Sequence, residues 1–288
     1  MTPQVIPSDM VELPAHVPRQ HAAFLHRAVP RLASDARVIG VAAAGSLAGG
    51  QMDEFSDLDL VIGIEPDAVS SMMAARRAVA ADLGPLAAAF TGEHVGEPRL
   101  LICLYEGEPE PAPLHVDLKF VSLEDLGPRV DEPVVLWARD ARFAVALLAG
   151  EGRYPPPDPQ WIEDRFWVWL HYGAARLGRG ELFETLDMLG FLRSRVFGPL
   201  ALIEAGATPS GVRRLETQAP ERAAAVAATV AAYDGASCLR ALMAAADLYR
   251  SLRDGISPPV LPNRDAERVA LDYIHAVARA LGVPVGRR

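Results

Sequence analysis

Asp57 and Asp59 stand two residues apart in Ser56-Asp57-Leu58-Asp59-Leu60, a stretch otherwise ready to be a strand. Extended backbone puts both carboxylates on one face, about 7 Å apart along the chain, and turns Leu58 and Leu60 into a core. A third aspartate lies in Leu114-His115-Val116-Asp117-Leu118-Lys119-Phe120, where Val116, Leu118 and Phe120 make the apolar face and His115, Asp117 and Lys119 share the other. Were the two strands neighbours, Asp117 would join Asp57 and Asp59. Carboxylates that close repel one another unless an oxygen-seeking cation such as Mg²⁺ neutralises them. Such a site suits two-metal phosphoryl or nucleotidyl transfer, with one ion on a triphosphate and one activating the attacking hydroxyl.

Gly45-Ser46 follows an earlier apolar run and offers what a phosphate needs: a backbone that can pass close by, a hydroxyl and an N–H. Lys119 is the single lysine among 28 basic residues. A compact point charge retained beside Asp117 in so arginine-biased a chain suggests contact with a triphosphate, the alternative being a surface ion pair with a carboxylate. His115 reads either as a proton relay or as a packed, hydrogen-bonded histidine.

These residues need strands to present them. Val38 to Ala44, Asp57 to Ile64, Leu100 to Tyr105 and Leu114 to Val121 are short and rich in Val, Ile, Leu or Phe, and Val134 to Trp137 adds a fifth candidate. Helical spacing marks Arg19 to Asp35, with Pro30 inside it, and composition marks Asp67 to Leu83, stopped by Gly84-Pro85. The three consecutive prolines within Gly152 to Gln160 break the pattern. Beyond them only helices are expected: Trp161 to Leu177, Leu182 to Ala205, Pro220 to Tyr233, Cys238 to Arg253 and Arg264 to Leu281. The expected fold class is α+β, a mixed sheet with helices over residues 1–151 followed by an all-α bundle over residues 160–288.

Composition narrows the function. Up to residue 155 the chain holds 12 basic and 22 acidic residues, and after it 16 and 15, so the negative field belongs to the front half. A net charge of −9 argues against a nucleic-acid partner, while an acidic field attracts a divalent metal or a polycationic small molecule. Cys103 and Cys238 form no cluster, so zinc ribbons and disulfide frameworks drop out. The first thirty residues, with Pro3, Pro7, Asp9 and Glu12, have no signal-peptide pattern, and no apolar run suits a bilayer. A soluble cytoplasmic protein is expected. Glu106, Glu108 and Glu110 alternate, yet the Gly and Pro between them read as a loop.

Gly45-Ser46, Ser56-Asp57-Leu58-Asp59-Leu60 and His115-Val116-Asp117 together resemble the signature of the polymerase-beta-type nucleotidyltransferase superfamily. The α/β half followed by a helical half is similar to the aminoglycoside and lincosamide nucleotidyltransferases of that superfamily. The resemblance implies an Mg²⁺-dependent enzyme that moves a nucleoside monophosphate, AMP from ATP foremost, to a hydroxyl of a small acceptor bound between the domains. It implies Asp57, Asp59 and Asp117 as metal ligands and catalytic residues. Gly45, Ser46, Ser56 and Lys119 are expected at the nucleotide. Antibiotic modification is one outcome. A toxin–antitoxin or protein-modifying nucleotidyltransferase, or a nucleotide-binding regulatory module without turnover, uses the same residues, and the oligomeric state is unreadable.

In the helical half, Trp161, Trp167 and Trp169 suit core packing first and stacking on a base or acceptor second. Glu181, Glu184 and Asp187 open a helix, where acidic side chains favour the macrodipole; facing a cleft, they would bind acceptor amines. Arg193 and Arg195 read as solvated or as phosphate contacts. No P-loop or dinucleotide-binding glycine pattern is present.

Overall fold

The computed structural model describes residues 12–107 and 112–283. Pro3, Pro7, Asp9, Glu108 and Glu110 lie outside the described residues. The chain divides into two compact units, Met1–Arg153 and Tyr154–Arg288.

The first unit runs α1 (Arg19–Ser34), β1 (Val38–Ala43), α2 (Gly45–Ala48), β2 (Leu58–Ile64), α3 (Val69–Leu83), β3 (Leu86–Gly92), β4 (Glu97–Tyr105), β5 (Leu114–Ser122), β6 (Val134–Ala138) and α4 (Ala141–Leu148). Its strands form one mixed sheet in the order β3-β4-β5-β2-β1-β6. The β2–β5 pair is parallel and the other four are antiparallel.

One sheet face is fully covered. Phe24, Leu25, Ala28, Val29 and Leu32 of α1 recur at helical spacing and pack, with Met72, Ala80 and Leu83 of α3, on Leu58, Leu60, Ile62, Val116, Leu118 and Phe120. The other face is covered only in part. Phe143 of α4 lies directly over Gly40 and Gly63, where a Cβ would come within 2.3 and 2.4 Å of its ring. This small cluster includes Ile39, Ala42, Val121 and Leu147. Asp59 and Asp117 stand on that same face, one pleat beyond Val61 and Lys119.

The second unit contains α5 (Pro159–Gly178), α6 (Leu182–Leu192), a π-helical turn at Arg193–Phe197, α7 (Gly198–Glu204), α8 (Leu215–Gln218), α9 (Pro220–Ala227), α10 (Gly235–Asp254) and α11 (Arg264–Ala280). Its core joins Phe166, Trp167 and Leu170 of α5 to Leu242, Ala245 and Tyr249 of α10 and Ile274 of α11. The Phe166 and Tyr249 rings stack with centroids 3.8 Å apart. The molecule is thus α+β, a mixed sheet with helices followed by a helical unit. Among the described residues no helix is long and apolar enough to cross a membrane.

The structure corrects several boundaries. Leu86–Gly92 is a strand although its Ala-rich sequence has little β propensity, because pairing with β4 decides its conformation. Ala141–Leu148, not expected, is a helix capped by the Asp140 side chain on the Arg142 N–H. The single helix expected over Leu182 to Ala205 is interrupted by the π turn, where Gly198 lies so close to the Gly211 carbonyl that a Cβ would be 2.1 Å from its oxygen. The helix expected to reach Tyr233 stops at Ala227, since Thr229 bonds back to the Val226 carbonyl (2.7 Å) and Arg193 takes the Thr229 carbonyl (2.7 Å). Asp57 lies one residue before β2 rather than inside it.

Candidate active site

The chain leaves β1 through an Ala44 N–H bond to the Asp59 carbonyl (2.8 Å) and turns at once at Gly45, whose φ is +58°. A side chain there would be strained, and its Cβ would fall 2.0 Å from Oδ2 of Asp59. Glycine is therefore required both by the turn and by the carboxylate packed on it. The Gly45 N–H donates to Oδ2 of Asp131 (3.0 Å), which arrives from the loop before β6. Ser46 follows, 6% exposed, and its Oγ has no hydrogen-bond partner among the described residues.

The parallel register of β2 and β5 sets Asp59 directly opposite Asp117 and Val61 opposite Lys119. Burial pushes the Asp117 carboxyl up from its ordinary pKa; His115 opposes this, and the negative charge of Asp57 adds to it. His115 Nε2 lies 3.0 Å from Oδ1 of Asp117. Asp57 thus acts on Asp117 electrostatically, and Asp59 faces Asp117 across the strand pair.

Two expected nucleotide contacts have protein partners. Lys119 Nζ is 3.0 Å from Oε2 of Glu97, the ion pair that was its alternative. Glu97 also takes the Arg99 guanidinium at 2.8 and 2.9 Å. Arg99 foremost, with Lys119, holds the Glu97 carboxyl down at about 2. Ser56 has its hydroxyl in a turn, donating to Oδ1 of Asp53 (2.9 Å) and accepting the Asp53 N–H (3.0 Å). The Ser56 carbonyl lies 2.6 Å from Nε2 of His21.

Asp131, Glu97 and His21 were not foreseen. Asp131 and Glu97 sit in no motif, and only the tertiary fold brings them to Gly45 and Lys119. For His21, its place on the apolar side of a predicted helix was the one available signal.

In the helical unit Trp167 is core, while Trp161 and Trp169 pair at its surface with centroids 5.5 Å apart and Trp169 meets Phe191 at 5.0 Å. Glu181 bonds Arg176 at 2.8 Å, with Glu184 4.0 Å from the same guanidinium. Arg193 has its NH1 on the Thr229 carbonyl, a structural use.

The donor chemistry fits a hard divalent cation, because carboxylate oxygens are what Mg²⁺ takes and clustered negative charge is what it relieves. Among the described residues no group of three or more His, Cys, Asp or Glu side chains is arranged to hold a metal ion. A cation here would complete its shell with water and substrate oxygens, as Mg²⁺ commonly does.

No family model matches the chain, and no curated protein matches it in sequence. Among solved structures the chain is similar to an aminoglycoside 6-adenyltransferase from Bacillus subtilis, with 14% identity over 90% of this chain and 97% of that one and a TM-score of 0.36.

Proposed function

We propose that this chain is a nucleotidyltransferase of the polymerase-beta type. In this proposal it moves a nucleoside monophosphate, AMP from ATP foremost, to a hydroxyl of a small acceptor. The observation that carries the reading is the in-register meeting of Asp59 and Asp117 across the one parallel strand pair among the described residues, with Gly45 packed on Asp59. Two aspartates set opposite each other on a sheet face that also carries His115 and Lys119 support a site for charged oxygens.

Asp57, Asp59 and Asp117 would hold Mg²⁺, which when bound offsets the charge of the triphosphate and acidifies the acceptor hydroxyl. The left-handed turn at Gly45 would present its N–H to a phosphate, and the Ser46 hydroxyl, buried and without a partner among the described residues, would serve the same phosphate. That the Gly45 N–H already takes a carboxylate oxygen supports its capacity for anions. Asp117, whose carboxyl is pushed up by burial, suits a proton acceptor. Lys119 would leave Glu97 to meet the charge that develops on departing pyrophosphate. The acidic balance of the first half favours a cationic acceptor, with aminoglycosides as the class to try first.

One observation favours a second reading, a nucleotide-binding module without turnover: Lys119, the charge that would serve departing pyrophosphate, is paired with Glu97 (3.0 Å). Incubating the full chain with each NTP, Mg²⁺ and a panel of aminoglycosides and lincosamides, followed by mass spectrometry, separates the two. An acceptor that gains a nucleotide mass supports transfer. Gain of a phosphate alone overturns it, and nucleotide binding with no adduct and no pyrophosphate favours the regulatory module.

A further inference from the structure

His21 lies on α1, distant in sequence from every acidic motif, and is 1% exposed. Its Nε2 is 2.6 Å from the Ser56 carbonyl oxygen, and its Nδ1 is buried with no partner among the described residues. A carbonyl can only accept, so Nε2 carries the proton and donates, leaving Nδ1 a bare acceptor. A buried acceptor without a donor costs stability. An apolar side chain here would avoid that cost but leave the Ser56 carbonyl without its donor, so what the position calls for is a donor at Nε2 rather than a packed ring. What the ring does provide is one hydrogen bond, aimed at the carbonyl that immediately precedes Asp57.

The segment it grips is fastened on its other side. Ser56 N–H donates to the Asp53 carbonyl (3.1 Å), and the Ser56 hydroxyl bonds Oδ1 of Asp53 (2.9 Å). Upstream, Gln51 N–H donates to the Ser46 carbonyl (2.9 Å), and the Met52 side chain is buried in the core that holds α1. Asp57 is the one aspartate of the three outside a strand, so no ladder sets its direction. The bond from α1 substitutes for the missing ladder by fixing the Ser56–Asp57 peptide plane, and with it the bond from which the carboxylate departs.

We infer that His21 is a positioning residue that aims Asp57 at the carboxylate cluster through the Ser56 carbonyl. The inference rests on the proposed nucleotidyltransferase site. Its consequence is that divalent-cation affinity depends on a donor at the Nε2 position of residue 21, and not on an imidazole as such.

The test compares His21→Gln, whose amide nitrogen can reach the Nε2 position, with His21→Asn, whose amide stops at the Nδ1 position, and with His21→Leu. The full chain is used throughout, Mn²⁺ binding is read by electron paramagnetic resonance, and ATP turnover and apo unfolding temperature are read alongside. The expected result is that Gln keeps Mn²⁺ affinity near the wild-type value, while Asn and Leu weaken it about ten- to a hundred-fold. The apo unfolding temperature of the Leu variant should fall by no more than the loss of one hydrogen bond produces. Should Leu fail to fold, the Gln and Asn pair decides the matter alone. Equal Mn²⁺ affinity in wild type, Gln and Asn overturns the positioning role and leaves the aspartate site standing. Equal loss in Gln and Asn, tracking a lowered unfolding temperature, overturns it in favour of a structural role. Absence of Mn²⁺ and nucleotide binding in the wild type removes the site itself and the inference with it.

Discussion

The two units treat buried acidic side chains in opposite ways. In the helical unit Glu163, fully buried, accepts from Tyr249 (2.7 Å), Trp167 (3.2 Å) and the Asn263 N–H (2.8 Å), with Arg253 3.6 Å away. Burial works against the neighbouring Glu267 carboxylate, yet Arg253 and Arg250 hold it below its ordinary pKa. Every charge there has an opposite charge or a donor, and the network ties α5, α10 and α11 together. On the sheet of the first unit burial wins instead: Asp117 is pushed upward, and a neighbouring aspartate adds to the shift. Acidic groups that serve a fold are neutralised within it, whereas on the proposed reading those of the sheet would be neutralised by a bound cation.

The largest effect that would break this contrast is catalytic. Asp59→Asn should lower turnover about a thousand-fold or more with folding retained, because it removes a cation ligand and relieves repulsion. Steady-state kinetics beside a thermal melt checks it. Near-normal kcat would mean that the sheet carboxylates are as structural as Glu163.

The converse applies to the helices. Arg253→Leu should destabilise the protein by about 3–5 kcal/mol, since it strands Glu163 and Glu267 in the interior, while leaving nucleotide affinity alone. Denaturant unfolding measures the loss. A combined replacement of all three charges by apolar residues should cost less than the single change.

The smallest effect sharpens the boundary between the two classes, because Lys119 borders on both. Lys119→Met should cut kcat/KM about ten- to a thousand-fold, or roughly 1.4–4 kcal/mol, if the ammonium serves the triphosphate. If Glu97 is its whole purpose, kinetics should stay unchanged and only acid stability should move. Glu97 has its pKa lowered from 4.5 to about 2, so its stabilising contribution is present above pH 4.5 and is lost as pH falls toward 2. Removing Lys119 shrinks the depression and therefore the size of that acid-induced loss, which unfolding curves between these limits would record.

Much of the architecture was legible because hydrophobic spacing reports burial directly. The apolar faces of Leu58, Leu60 and Ile62 and of Val116, Leu118 and Phe120 fixed two strands to within a residue. Alternation also placed Asp59 and Asp117 on one face, and the register then aligned them. Illegible elements had weak or contrary local signals: Ala87 to Ala89 read as neither strand nor helix, and Ala141–Leu148 follows its strand with hardly a break. At the site, the residues that belong to motifs were visible in sequence, and their partners were not. Asp131 reaches Gly45 across 86 positions and Glu97 reaches Lys119 from the start of another strand, contacts that no local pattern encodes. Distance in the chain hides His21 as well, since a lone histidine on an apolar helix face looks like any packed one.

The parallel pairing of β2 with β5 also sets a tempo. Two neighbouring strands running the same way require a long crossover, and here it contains α3, β3 and β4. β5 must slot between β4 and β2, so Asp59 and Asp117 come face to face only when strands 58 positions apart, Leu58 opposite Val116, pair across the crossover. Such non-local closure slows refolding, and here it also brings two negative charges together. Refolding of this unit should consequently quicken in mild acid or with added divalent cation, a kinetic signature written by the strand order.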